Sequence, residues 1–159
     1  MPNWCMNTVT ISGPKATLEE ILTAAKEGRF LEYLAPIGEY NYDKAIDTWG
    51  TKWEPRFENI DAKIETEEGE NFLQLSFDSA WSPPTDAYAA AEMSMGLIIS
   101  GSYYEDGVGY VGLYDNGPEK TYTVDFTQDN WEESIPSHLI SEWDLLYDYE
   151  QWKEYQGEN

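Results

Sequence analysis

The apolar residues of this chain recur first at every second residue and then at helical spacing, and the order of these changes restricts the fold. Residues 4–12 alternate apolar and polar side chains, which predicts a strand. A helical repeat of apolar residues follows and ends at Gly28, and Thr17 and Glu20 match the spacing of a capping box at its start. The chain is therefore predicted to open with a strand and a helix.

Both spacings return further along the chain. Residues 62–66 and 72–77 flank turn-forming residues and predict a β-hairpin, and the alanine-rich segment 86–95 predicts a helix behind Pro83 and Pro84. More strands are predicted over 97–104, 110–114 and 121–126. The order β-α-β-β-α-β, with strands appended, indicates the α+β class: a split β-α-β antiparallel sheet with helices on one face.

Two segments lack this order. Residues 30–59 have no clear periodicity and are interrupted by proline and glycine, so they are predicted to form an ordered, tryptophan-rich insertion. Residues 137–155 are predicted to form one long acidic helix with two apolar stripes, which is more than a helix resting on a single surface needs. We therefore expect an α+β domain over residues 1–126 and an acidic, aromatic helical extension over 127–159 that packs on the same domain.

Acidic residues greatly outnumber basic ones, and most of the excess lies in the later part of the chain. The 159 residues include 31 Asp and Glu against nine Lys and Arg, a formal net charge of −22. Residues 1–59 contribute a net charge of −3, and residues 60–159 contribute −19. Such a field repels nucleic acid and anionic membranes and attracts basic surfaces, so a basic protein partner is predicted and direct nucleic-acid binding is not.

Composition favours one folded, soluble protein. A chain with 41% hydrophobic and 15% aromatic residues differs from acidic disordered segments, which are poor in both. Cys5 is the single cysteine, so neither an intramolecular disulfide nor a multi-cysteine zinc site can form, which suits a reducing compartment. The longest aliphatic run, over 97–99, is far too short to span a membrane. We expect a protein of the cytoplasm.

Three tryptophan-containing motifs carry a resemblance to a known family. They are Met1-Pro2-Asn3-Trp4-Cys5-Met6-Asn7, Trp49-Gly50-Thr51-Lys52-Trp53 and Phe77-Asp78-Ser79-Ala80-Trp81-Ser82-Pro83-Pro84. Together they resemble the YubB-like ferredoxin-like domain family of phage and plasmid proteins, over roughly residues 1–126. The resemblance implies a mobile-element origin and a ferredoxin-like fold. It implies no catalytic residue, and because one cysteine cannot hold an iron–sulfur cluster, no cofactor is expected.

The tryptophans of these motifs and one lysine form a candidate ligand site. We expect the four tryptophans to meet at one end of the sheet, where they either build the core or line a groove. They are Trp4, Trp49, Trp53 and Trp81. Lys52 either pairs with Asp78 or Glu105, stacks on an indole ring, or contacts an anion such as a nucleotide phosphate. Core packing and a structural ion pair are the expected roles, and binding of a small anion is the alternative.

Other patterns are predicted to be structural. Residues 107–112 match G-x-G-x-x-G, but a dinucleotide site needs a helix after the glycines, whereas a strand is predicted here. Cys5 and His138 are each the only residue of their kind, and nothing in the sequence brings them together as nucleophile and base. The carboxylates of 125–133 are expected to form a solvated face rather than a metal site. No catalytic residue or metal site is predicted.

The predicted C-terminal helix combines carboxylates with aromatic rings and is the leading candidate for a partner-binding surface. Aromatic side chains can fill pockets on a partner, while carboxylates steer the encounter with Lys and Arg. The candidate residues are Glu142, Trp143, Asp144, Tyr147, Asp148, Glu150, Trp152 and Glu154. Docking of this helix on its own domain, with the charge serving solubility, is the other interpretation.

These observations lead to a functional hypothesis. The chain is expected to be a non-enzymatic accessory protein of a phage or plasmid that binds a basic host protein, such as a nucleic-acid-binding defence factor. It would block the nucleic-acid surface of that protein by imitating the charge of DNA. The alternative is a module for a small anionic ligand or nucleotide that uses the Trp and Lys52 region. A salt-adapted protein also accounts for the charge and would need high salt to fold.

Overall fold

The computed structural model describes residues 3–158, which form a six-stranded sheet and six helices. The strands are β1 (Trp4–Ser12), β2 (Ile64–Glu67), β3 (Glu70–Ala80), β4 (Ile98–Glu105), β5 (Tyr110–Asp115) and β6 (Glu119–Thr123). The helices are α1 (Lys15–Lys26), α2 (Phe30–Leu34), α3 (Tyr42–Trp49), α4 (Thr85–Met95), α5 (Ser137–Glu142) and α6 (Leu145–Glu158).

The strands form one antiparallel sheet in the spatial order β2-β3-β1-β4-β5-β6. β1 lies inside the sheet, where Val9 is opposite Leu75 of β3 and Gly101 of β4. β2 and β6 are the two edges. The predicted α+β class is therefore confirmed. The order is not that of a simple split β-α-β sheet, because β5 and β6 are added beyond β4.

One face of the sheet carries the larger core. Side chains alternate along a strand, so the odd-numbered residues of β1, including Val9 and Ile11, all point to this face and are buried. Leu18 and Ile21 of α1 and Tyr88 of α4 belong to the same buried cluster. Full burial of an aliphatic side chain of this size stabilises the fold by roughly 1.5–3 kcal/mol. This core fixes α1 and α4 on the sheet.

The opposite face carries a second, smaller core. Tyr104 of β4 and Val111 of β5 point to this side, where Leu139 of α5 and Leu145 of α6 pack with them, and all four are buried. The two helices of the predicted split β-α-β order, α1 and α4, lie together on the face of the larger core. The segment after β6 returns across the sheet and supplies a second helical layer on the opposite face, a position that the sequence did not predict.

The prediction of one continuous helix over 137–155 is wrong. Asp144 has a φ of +52°, in the left-handed region, and separates α5 from α6. On one straight helix, Leu139 and Leu145 would point about 120° apart around the axis, so they could not both face the sheet directly. The break allows both to pack there. It also exposes two residues that were predicted to be in an apolar stripe, Leu146 and Tyr147.

The insertion over 30–59 contains two short helices, α2 and α3, which the periodicity did not predict. The ends of α3 have recognisable caps, because Asn41 Oδ1 accepts a hydrogen bond from the Lys44 amide at 3.0 Å and Gly50 follows the helix with a φ of +82°. A helix of eight residues is too short for a clear apolar repeat. Its capping residues were therefore a better signal than its periodicity.

Two element ends also differ from the predictions. Thr17 and Glu20 do not form the predicted capping box, since α1 begins at Lys15 directly after Pro14 and has no side-chain cap. Strand β6 lies earlier than the predicted 121–126, because a tight turn at Gly117 starts it at once. Neither difference changes the order of the elements.

Candidate functional site

Two separate tryptophan–cation pairs lie near the paired ends of β1 and β3. Trp4 begins β1, and Trp81 directly follows β3. The Lys52 ammonium lies 4.8 Å from the centre of the Trp81 ring, and the Arg56 guanidinium lies 4.4 Å from the centre of the Trp4 ring. Both geometries are those of cation–π contacts. We call these four residues the indole–cation cluster.

Trp81 is held in an unusual backbone conformation. Its φ of +70° lies in the left-handed region, which bulky residues rarely adopt. Its amide donates to the Asn3 carbonyl at 2.8 Å, and its carbonyl accepts a hydrogen bond from the Tyr110 hydroxyl. The residue before it is fixed as well, since Thr51 Oγ1 donates to the Ala80 carbonyl at 2.9 Å. The fold thus maintains a strain of roughly 1–3 kcal/mol at a residue whose ring is partly exposed.

A cleft of about 460 Å³ opens beside Trp81. Its lining includes Tyr103 and Tyr110, whose ring centres are 6.0 Å apart with planes at 70°. Two exposed carboxylates, Asp86 of α4 and Glu119 of β6, also line it, and the other lining residues are small or uncharged. We call it the aromatic cleft. Its lining is therefore aromatic and negatively charged.

The structure separates the four tryptophans of the predicted ligand site. Trp49 is 2% exposed in the larger core, and its indole N–H donates to a backbone carbonyl at 2.7 Å. Trp53 is 37% exposed and lies outside both buried clusters. Lys52 stacks on an indole instead of forming an ion pair, and Asp78 pairs with Arg56 at 3.0 Å. Of the predicted ligand-site residues, Trp4, Lys52 and Trp81 belong to the indole–cation cluster, and Arg56 is an addition that the sequence analysis did not select.

One side of α6 presents carboxylates together with an aromatic ring. Tyr147, Glu150 and Glu154 recur at i, i+3 and i+7, so they lie on one side of the helix, and all three are exposed. Tyr147 has an exposed fraction of 58%. Asp144 is exposed at the break before the helix. We call these four residues the acidic helix face, and all four are among the predicted partner-binding residues.

The other predicted partner-binding residues face the sheet. Asp148 Oδ2 accepts a hydrogen bond from the Tyr104 hydroxyl at 2.8 Å, and Glu142 Oε1 accepts one from the Ser102 hydroxyl at 2.6 Å. Burial, and then the nearby Asp148 carboxylate, raise the pKa of Tyr104 well above its usual value. Two aromatic side chains also pack inward, Trp143 and Trp152. These residues anchor α5 and α6 and leave the acidic helix face as the available surface.

Few of the carboxylates are neutralised by a cation. Residues 3–158 contain two ion pairs, and these involve Arg29 and Arg56. The segment after β6 has one lysine, Lys153, whose ammonium lies 5.3 Å from the centre of the Tyr149 ring. The loop before α5 adds four exposed carboxylates, Asp125, Asp129, Glu132 and Glu133. The C-terminal layer therefore presents an uncompensated negative surface.

The glycines of 107–112 lie in the turn between β4 and β5 and in β5 itself. Glu105 is fully buried at this turn, where its carboxylate accepts hydrogen bonds from the Gly107 amide at 2.5 Å and the Val108 amide at 2.9 Å. The turn amides, which would have to bind a phosphate, are thus already occupied by a carboxylate. A strand follows the glycines in place of a helix, so this arrangement does not suit a dinucleotide.

Cys5 and His138 lie on opposite faces of the sheet. Cys5 is fully buried, and burial raises the pKa of its thiol to about 12, so it is not a thiolate nucleophile at neutral pH. His138 is exposed on α5 and lines a cleft on the other face with Thr8 and Ser102. Over residues 3–158, no three His, Cys, Asp or Glu side chains are grouped closely enough to hold a metal ion.

Sequence reasoning missed the aromatic cleft because its residues come from four elements. Asp86, Tyr103, Tyr110 and Glu119 meet only when α4, β4, β5 and β6 are assembled. One signal was present in the sequence. Gly112 lies opposite Tyr103, and a Cβ atom there would be 2.5 Å from the Tyr103 ring. A glycine inside a strand often marks such a close approach.

Comparison of the chain with models of protein families, with curated proteins and with solved structures finds no match. None of the helices in residues 3–158 combines the length and the apolar character needed to cross a lipid bilayer.

Proposed function

We propose that this chain is a non-enzymatic phage or plasmid accessory protein that binds a basic, nucleic-acid-binding host protein and blocks its nucleic-acid surface. The proposal depends on the acidic helix face, whose carboxylates form no ion pair within residues 3–158 and project from an anchored helix. Carboxylates in fixed positions can meet a basic cleft without the cost of ordering a flexible chain. The expected place of action is the host cytoplasm.

The charge density of the acidic helix face sets what this surface can imitate. It has three exposed carboxylates, those of Asp144, Glu150 and Glu154. Residues 144–154 span about 15 Å at 1.5 Å per residue, which gives about one carboxylate per 5 Å. Duplex DNA presents about one charge per 1.7 Å of axis. This face alone therefore reaches about a third of that density, and the exposed carboxylates of the loop before α5 must contribute to any resemblance to DNA.

Exposed apolar groups distinguish this surface from a merely solubilising one. Leu146 and Tyr147 are 50% and 58% exposed beside the carboxylates. Partner interfaces commonly gain most of their affinity from a few aromatic anchors surrounded by polar groups. A surface that serves only solubility needs no exposed aromatic side chains. Tyr147 is therefore the residue that we expect to contribute most to partner binding.

The test compares capture by three forms of the protein. The first is wild type, the second carries Tyr147→Ala, Glu150→Gln and Glu154→Gln, and the control carries Glu65→Gln and Glu67→Gln on the exposed edge strand. Each form is used to capture proteins from nuclease-treated host lysate at low and moderate salt. We expect wild type and control to retain a basic nucleic-acid-binding protein that the second form loses. In a purified assay, wild type should block nucleic-acid binding by that protein.

Two results would contradict the proposal. Capture of the same proteins by all three forms would mean that bulk charge alone attracts them. Retention of a partner whose nucleic-acid binding is unaffected would exclude inhibition by competition. An unrelated acidic protein of similar size and net charge provides the baseline for both comparisons.

We further infer that β1 to β4, with α1 and α4, form a ferredoxin-like unit of the YubB-like type. The support is the spatial order β2-β3-β1-β4 with antiparallel neighbours, in which α1 follows β1 and α4 joins β3 to β4. In this interpretation β5, β6 and the C-terminal helices are additions. A solved structure of a YubB-like protein with a different strand order would contradict the inference.

A module for a small anionic ligand is the second candidate, because of the position of Lys52. Its ammonium pairs with no carboxylate within residues 3–158 and lies on the partly exposed Trp81 ring. A nucleotide phosphate could pair with this lysine while its base stacks on an indole. Nucleotides should then raise the melting temperature of wild type but not of Lys52→Met. If neither nucleotides nor inorganic phosphate shift the melting temperature, this candidate fails.

A further inference from the structure

We infer that the aromatic cleft receives an arginine side chain of the partner protein, an inference that rests on the proposed function. The cleft brings the rings of Trp81, Tyr103 and Tyr110 together with the carboxylates of Asp86 and Glu119. A guanidinium group is planar and permanently charged, stacks on aromatic rings and donates paired hydrogen bonds to carboxylates. The cleft therefore contains both kinds of group that recognise arginine.

The charge in the cleft favours a cation. Within the described part of the chain, no lysine or arginine lines it, and neither Asp86 nor Glu119 takes part in an ion pair. Lys120 follows Glu119 in β6, but its side chain points to the opposite face because side chains alternate along a strand. Lys52 contacts the Trp81 ring without lining the cleft. Two exposed carboxylates thus remain to be matched by a ligand.

The walls of the cleft are fixed before any ligand binds. The Tyr110 hydroxyl donates to the Trp81 carbonyl, and the hydroxyl groups of Tyr103 and Thr121 are hydrogen-bonded at 2.5 Å. Tyr103 and Tyr110 also contact each other edge to face. Walls that are already ordered lower the entropic cost of binding.

The backbone of Trp81 gives an independent reason to expect a ligand. A glycine at this position would adopt the φ of +70° without strain, whereas a tryptophan adopts it at a cost of roughly 1–3 kcal/mol. Trp81 remains 37% exposed, so part of its surface is available to a ligand. Strained residues of this kind are concentrated at functional sites. The strained backbone and the exposed surface of Trp81 therefore both agree with a ligand at this position.

The volume of the cleft agrees with an inserted side chain. About 460 Å³ lies within the usual range for pockets that bind small organic groups, which is roughly 300–1,000 Å³. The aromatic cleft opens on the face of the sheet that carries the larger core, whereas α6 packs on the other face. The cleft and the acidic helix face are therefore separate binding surfaces and can be tested separately.

The experiment titrates the labelled protein with three short peptides and follows its amide and indole NMR signals. The peptides place one arginine, one lysine or one citrulline between glycines, and citrulline is nearly isosteric with arginine but neutral. We expect the arginine peptide to shift the Trp81 indole signal and the signals of Tyr110 and Thr121, with weak millimolar affinity. The lysine peptide should bind less tightly, because it cannot form the planar fork. The citrulline peptide should not bind.

Matched variants locate the binding site. Trp81→Gly removes the ring at a position where glycine is unstrained, and it should weaken binding of the arginine peptide about tenfold. Glu119→Gln should also weaken it, and this second variant decides the matter if Trp81→Gly does not fold. Trp53→Ala removes an equally exposed tryptophan outside the cleft and should leave the affinity unchanged. Glu65→Gln, on the exposed edge strand β2, should leave it unchanged as well.

Three results would overturn the inference. The first is the absence of shifts at millimolar peptide, and the second is equal binding of the citrulline peptide. The third is shifts at α6 in place of the cleft, which would leave the proposed function standing. Conversely, arginine binding in the cleft together with unchanged capture by the acidic-helix-face variant would refute the proposed function alone. The two failures are thus distinguishable.

Discussion

The hydrogen bond between Tyr104 and Asp148 is expected to hold α6 on the sheet. Tyr104 is 2% exposed, and its hydroxyl donates to Asp148 Oδ2 at 2.8 Å. A hydrogen bond to a charged acceptor contributes about 1.5–3 kcal/mol, but Asp148 is partly exposed and can bind water after Tyr104→Phe. We therefore expect this substitution to lower the free energy of unfolding by about 1–2 kcal/mol. For a chain of this length, that corresponds to a fall of about 4 °C in melting temperature.

A double-mutant cycle isolates this hydrogen bond. Asp148→Ala also removes one negative charge from a very acidic protein, which by itself relieves repulsion and raises stability. The cycle of Tyr104→Phe, Asp148→Ala and the double variant cancels that effect, because it is present in both backgrounds. Urea unfolding of the four proteins should give a coupling energy of about 1–2 kcal/mol.

The matched control is Tyr147→Phe, which removes a hydroxyl from an exposed tyrosine near the start of the same helix and should change stability by less than about 0.5 kcal/mol. Hydrogen exchange should also become faster in α6 of Tyr104→Phe and stay unchanged in α1. A coupling energy within a few tenths of a kcal/mol of zero would refute the reasoning, because α6 would then be held by apolar packing alone.

Two further predictions concern the sheet. Gly101→Ala should lower the free energy of unfolding by about 1–3 kcal/mol, because the added Cβ would lie 2.5 Å from the Thr8 carbonyl oxygen. Urea unfolding checks this, and an unchanged urea midpoint would contradict the pairing of β1 with β4. Raising the pH above about 10 should destabilise the protein. Burial raises the pKa values of Cys5 and of five tyrosines, so the folded state retains protons that the unfolded chain has released. The tyrosines are Tyr88, Tyr103, Tyr104, Tyr110 and Tyr114. Urea midpoints measured from neutral to alkaline pH check this, and a flat profile would count against it.

The elements that pack on the larger core could be predicted from sequence because each presents one regular face to one surface. Val9 and Ile11 of β1 alternate with polar residues, and Leu18 and Ile21 of α1 recur at helical spacing, so burial and local pattern agree. The break at Asp144 could not be predicted in this way. The break depends on contacts that are distant in sequence, because both α5 and α6 pack on the opposite face of the sheet.

The acidic helix face was partly predictable, and the aromatic cleft was not. Once Leu145 is known to be buried, helical spacing places Asp148, Tyr149 and Trp152 inward and Glu150 and Glu154 outward. The sequence alone does not identify the buried residue, so it did not separate anchoring from exposed carboxylates. The aromatic cleft depends on the pairing of β4, β5 and β6 and on the packing of α4, which together bring Asp86 and Glu119 to one cleft, and no local spacing records that.

The edge strand β2 has a consequence for concentrated solutions. Its sequence is Ile64-Glu65-Thr66-Glu67, and its glutamates are exposed. If the free edges of two copies joined as antiparallel strands, like charges would lie about 5 Å apart, and each such pair repels by about 0.8 kcal/mol even in water. Glu68 in the turn after β2 and Glu70 at the start of β3 add to this repulsion. The same acidity that we assign to partner binding thus also protects the molecule against edge-to-edge aggregation, and this protection weakens in acid or at high salt.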